Sequence, residues 1–74
     1  MKFEDKMKLL NYALSDAEEI MKDGRNWATV KSMHGRVLLN YGTIHTNGER
    51  ERAIATISYE MRGDNIVTIK QVHT

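Results

Sequence analysis

The chain has 74 residues with no cysteine and no proline, and 11 lysines and arginines against 10 aspartates and glutamates leave a formal net charge of +1. Without cysteine there are no disulfides, thiolate metal sites or cysteine nucleophiles, and the near-neutral balance excludes steering of the whole molecule to nucleic acid by net charge. A chain of this size buries only ~60% of its unfolded surface, so an oligomeric partner would add to a limited core.

Apolar runs are short, far below the ~20 residues of a membrane helix, and Met1 to Lys8 lacks a signal-peptide core. The expected setting is cytoplasmic, with no membrane association.

The chain opens on a helical pattern. Phe3, Met7, Leu10, Leu14, Ala17 and Met21 alternate between spacings of four and three, and Leu9, Ala13 and Ile20 widen the stripe to a face suited to a globular core. A helix over about 2–23 is expected, roughly 30 Å long. Ser15-Asp16-Ala17-Glu18 reads as a capping box that could start a second helix; against this, the apolar stripe runs in phase through it, which favours an unbroken helix. Gly24 is the expected stop, with Lys22 near the carbonyl end.

The remainder reads as strands separated by glycine, over about 27–32, 36–45, 49–61 and 66–73, with turns at His34-Gly35, Asn47-Gly48 and Gly63-Asp64-Asn65. The best-defined strand lies within Ala53 to Met61, where Ala53, Ala55, Ile57, Tyr59 and Met61 form one apolar row. A loop of Thr46, Asn47 and Gly48, with the glycine left-handed, sets His45 opposite Glu49 and keeps Val37, Leu39 and Tyr41 on that row's face; a one-residue slip would divide the core. In this register Tyr41 faces Ala53, Leu39 faces Ala55 and Val37 faces Ile57. A three-residue last loop would set Met61 against Val67 and Tyr59 against Ile69. For the first hairpin, a tight His34-Gly35 turn places Ala28 and Val30 in the core, whereas a three-residue loop places Trp27 and Thr29 there. The expected fold is α+β, one N-terminal helix packed on a four-stranded antiparallel meander (α-β-β-β-β).

The sheet's second face is then mixed, with Leu38, Thr56 and Val72 in one row and Ile54 close by. This modest apolar patch is either ordinary exposed sheet or a surface for self-association. Arg50 and Arg52 fall on the same face by strand alternation, joined by Lys70 and, if it faces outward, by Trp27. Such a group could meet phosphate or an acidic surface, or serve only solubility.

Catalytic chemistry finds little support. His34, His45 and His73 show no metal-ligand spacing, Ser15, Ser32 and Ser58 lack a nucleophile elbow, and the helix carboxylates do not pair across a cleft. The glycines form no phosphate-cradling loop, and Arg62-Gly63-Asp64 reads as a turn. No catalytic residue, metal site or cofactor is expected, and no motif carries a family resemblance. The expected role is a non-enzymatic protein-interaction module, a regulator or inhibitor of an unidentified protein partner. It is expected to form a homodimer or higher homo-oligomer through a sheet face or edge; the alternative is a nucleic-acid-binding module using Arg50, Arg52, Lys70 and Trp27. The sequence neither supports nor excludes a small-molecule pocket between subunits.

Overall fold

In a computed structural model, which describes residues 2–74, the amphipathic N-terminal segment forms one uninterrupted helix, α1, Phe3–Met21. Ser15 sits inside it without a break. Glu4 and Asp5 in the first turn oppose the positive end of the helix dipole. The helix does not stop on a left-handed glycine, because Gly24 keeps a negative-side φ. Instead the Asp23 carboxylate accepts the Arg25 backbone N–H at 3.0 Å and the Arg25 guanidinium at 3.2 Å. The Asx turn redirects the chain into the sheet, and the Arg25 guanidinium, followed by the Arg25 backbone N–H, holds the Asp23 carboxyl below the usual carboxylate range.

Four strands follow: β1 Asn26–Met33, β2 Arg36–Thr43, β3 Ala55–Arg62 and β4 Asn65–Val72. They pair antiparallel in the order β1-β2-β3-β4, which is the α-β-β-β-β arrangement the pattern predicts. In the first hairpin Met33 opposes Arg36 and Val30 opposes Leu39, so the tight His34-Gly35 turn forms and Trp27 points away from the helix.

The second hairpin begins in the expected register and then departs from it. His45 N–H donates to the Glu49 carbonyl at 2.7 Å, Ile44 bridges Arg50, and Gly48 is left-handed at φ 88°. Beyond Glu51 the chain makes a two-residue excursion, so Tyr41 faces Ala55, Leu39 faces Ile57 and Val37 faces Tyr59. The expected partners Ala53, Ala55 and Ile57 are each displaced by two positions, and the regular strand starts at Ala55 rather than near residue 49. The physical reason lies opposite Gly42. A Cβ there would stand 2.8 Å from the Arg52 carbonyl oxygen and 2.9 Å from Trp27 Nε1, so the excursion folds into space that a side chain would occupy. Because side chains alternate with period two, a two-residue shift preserves the buried face.

The last hairpin differs by one residue, which does change the face. Arg62 opposes Asn65, leaving a two-residue Gly63-Asp64 turn with Gly63 at φ 61°. Only glycine adopts that conformation at the first turn position readily. Tyr59 consequently faces Thr68, and Met61 faces Ile66. Both parities of β4 carry apolar residues, Ile66 and Val72 on one and Val67 and Ile69 on the other, so its burial pattern is a weak register signal and turn chemistry decides.

The core lies between α1 and the sheet. Leu9, Ala13 and Ala17 of α1 meet Val37, Leu39 and Tyr59, with Leu10, Ile20, Ala28, Val30, Ile57 and Ile66 packed around them. The alanines let the helix approach the sheet closely. Tyr59, fully buried, donates its hydroxyl to Asp16 Oδ2 at 2.6 Å, so its polar tip under the helix is satisfied.

Candidate interaction surfaces

The register sorts the predicted site residues onto two sides of the sheet. On the face away from α1, Leu38 lies beside Ser58, which lies beside Ile69, while Thr56 belongs to the next row with Asn40 and Gln71. The expected row of Leu38, Thr56 and Val72 does not form. Val72 opposes the buried Ala55 and so projects on the helix side, where α1 does not reach it and it is 63% exposed. Ile54 belongs to the excursion, its N–H bonded to Tyr41 O and its carbonyl accepting from His73 N, each at 2.9 Å. The apolar residues that the regular strands place on this face are Trp27, Met33, Leu38, Val67 and Ile69, and neither Val72 nor a continuous Leu38–Thr56–Val72 row is among them.

Lys70 also changes sides. Its ammonium stands 5.6 Å from the centroid of the Tyr41 ring on the helix side, separated by the sheet from the other predicted cations. Arg50 and Trp27 do come together, with the guanidinium 5.5 Å from the indole centroid. This cation–π contact and the close passage of the Arg52 backbone over Gly42 make a corner at the end of β1 and β2. Trp27 Nε1 and Ser58 Oγ are enclosed on this face without a hydrogen-bond partner in the chain.

Beside that corner runs a short polar chain. Thr56 Oγ1 donates to Asn40 Oδ1 at 2.5 Å and lies 2.7 Å from His73 Nε2. With its one proton committed to Asn40, the Thr56 hydroxyl accepts from His73, which fixes the Nε2–H tautomer. Glu51 is likewise engaged, accepting from Thr43 Oγ1 at 2.6 Å and approaching His45 Nδ1 at 3.1 Å. Arg50, Arg52, Ile54, His45 and His73 border a shallow concavity of about 570 Å³, open to solvent. Among the described residues no three histidine, aspartate or glutamate side chains are grouped to hold a metal ion, and no helix is long and apolar enough to cross a membrane.

Sequence reasoning assigned to the core a line of the helix that is exposed. Phe3, Met7, Leu14 and Met21 are 75%, 39%, 49% and 44% exposed. At about 100° per residue they form a line roughly a quarter-turn away from the buried line of Leu9, Ala13 and Ala17. The signal was present as an apolar arc wider than one sheet contact requires. Tyr12 and Asp16 occupy the flank toward Tyr59 of β3; the exposed line is therefore on the opposite flank, along the β1 edge. Comparison with protein-family models, curated proteins and solved structures finds no match.

Proposed function

We propose that this protein is a small non-enzymatic binding module that self-associates and acts by engaging another protein, as a regulator or inhibitor. The observation that carries this reading is the uncovered line of Phe3, Met7, Leu14 and Met21 beside an open strand edge. Contiguous exposed apolar surface on a chain with so small a core marks an association surface. Light scattering coupled to size exclusion, over a hundredfold range of concentration, tests it. A dimer or larger closed assembly is expected, and a monomer throughout that range overturns self-association.

A second reading, nucleic-acid binding, is favoured by the stacked Arg50–Trp27 pair. A base could stack near such a corner, with Arg52 supplying charge to the backbone. With Lys70 on the other side of the sheet, the cationic group is smaller than the sequence suggests, which ranks this reading second. Binding to a single-stranded oligonucleotide that weakens with salt, with a shallower slope in Arg50→Ala, supports it; no binding at low salt removes it.

A further inference from the structure

Resting on the self-association reading, we propose that the partner is a second copy of this chain, joined through the β1 edge so that the two sheets become one and the two helices pack along their exposed lines. Strand β1 is a regular eight-residue strand with one side unpaired, and its backbone N–H and C=O groups on that side can accept an antiparallel strand. A two-fold axis perpendicular to the sheet keeps both helices on the same face. Since opposed residues must then share a face, the axis passes beside a single residue in the middle of β1, Thr29 or Val30.

The helix is placed for this. It lies over β1 and β2 and reaches β3, and it runs antiparallel to β1: Asn26 Nδ2 donates to the Ile20 carbonyl at 3.2 Å, while Lys6 borders the same concavity as Ser32 and Met33. The middle of α1 therefore stands above the middle of β1. With strands about 4.8 Å apart, a helix seated over the β1–β2 boundary lies about 5 Å from the axis, so two copies lie about 10 Å apart. That is close to the 8–10 Å at which helices pack. Leu14 falls near the axis, and Met7 of one copy runs toward Met21 of the other.

This arrangement explains why the occupant is a copy rather than an unrelated strand. A strand added to β1 would satisfy the edge and leave the apolar line above it in water; a partner must carry its own helix at the same height to cover both. The opposite edge, β4, has no helix above it and presents Thr68 and Lys70 on that side. Lys31, exposed on β1, points to the face away from the helices and leaves their contact apolar.

The test compares the wild type with two double variants, Met7→Lys/Leu14→Lys on the helix and Leu38→Lys/Ile69→Lys on the opposite sheet face, by light scattering and hydrogen exchange. Circular dichroism verifies the fold of each, and the helix pair is exposed enough to be replaced without emptying the core. The expected result is a wild-type dimer weakened at least about tenfold by the helix pair and unaffected by the sheet pair, with slow exchange of outward β1 amides that becomes fast in the helix variant. A dimer that survives the helix pair, or that dissolves only with the sheet pair, overturns the β1 arrangement and leaves self-association standing. A wild-type monomer overturns both.

Discussion

Tyr59 of β3 reaches Asp16 of α1 with its hydroxyl, 2.6 Å from Oδ2, and thereby ties the helix to the strand next beyond the two it chiefly covers. The ring is fully buried and the bond is directed to a carboxylate. Replacing Tyr59 by Phe keeps the packing and removes the bond, and should cost about 1.5–3 kcal/mol in urea denaturation. A loss below about 0.5 kcal/mol would show that the bond contributes little.

The same residue predicts a pH dependence. Burial, then the hydrogen bond to Asp16, pushes the Tyr59 phenol well above its ordinary range. In the unfolded chain a tyrosine ionises near pH 10. Above that pH the unfolded chain releases a proton that the folded chain keeps, so the contribution of Tyr59 is complete below about pH 10 and is lost as pH rises toward the raised folded value. Denaturation between pH 8 and 11.5 should show stability falling in the upper part of this range, and Tyr59→Phe should flatten that fall. Equal slopes for the two proteins would contradict the assignment.

Gly42 should tolerate no side chain. Its backbone is ordinary extended strand, so the restriction comes from space alone: the Arg52 carbonyl and the Trp27 indole both lie within 3 Å of the added carbon. Gly42→Ala should cost about 1–3 kcal/mol by overpacking and shift the emission of Trp27, the single tryptophan, as the ring is displaced. Unchanged emission with unchanged stability would place the excursion elsewhere.

The one-residue difference at the last turn can be read by a pair of lysines. Ile66 packs against the core while Ile69 is half exposed on the other face. Ile66→Lys should cost about 2–3 kcal/mol and Ile69→Lys less than about 0.5 kcal/mol. The reverse order would restore the three-residue turn.

These residues also show how far the chain could be read without coordinates. Helix, strands and order were legible because apolar period and glycine turns agree over Phe3 to Met21 and again over Val37 to Tyr59. The shared core face of β2 and β3 was legible too, since a two-residue displacement leaves alternation intact. The displacement itself was not, for it depends on Trp27 and Arg52 meeting over Gly42, a contact between three separate stretches of chain. Strand β4 misled because Ile66, Val67, Ile69 and Val72 satisfy either face, and Lys70 and Val72 were assigned to the wrong side as a result. The exposed line on α1 was hidden within one broad stripe; the packing of Leu9, Ala13 and Ala17 on Val37, Leu39 and Tyr59 shows which part of that stripe turns inward.

The consecutive order of the strands has a temporal consequence. Every hairpin joins neighbours in the chain, so each can close quickly and locally. The helix is different, because Asp16 must wait for a residue 43 positions later. Made before the strands, α1 cannot be fully docked until β3 has followed it. Until β3 has emerged, the inward line of α1 has only β1 and β2 to pack against and its bond to Tyr59 cannot form, which makes the interval before Tyr59 appears the one in which a nascent chain is most prone to capture by a chaperone.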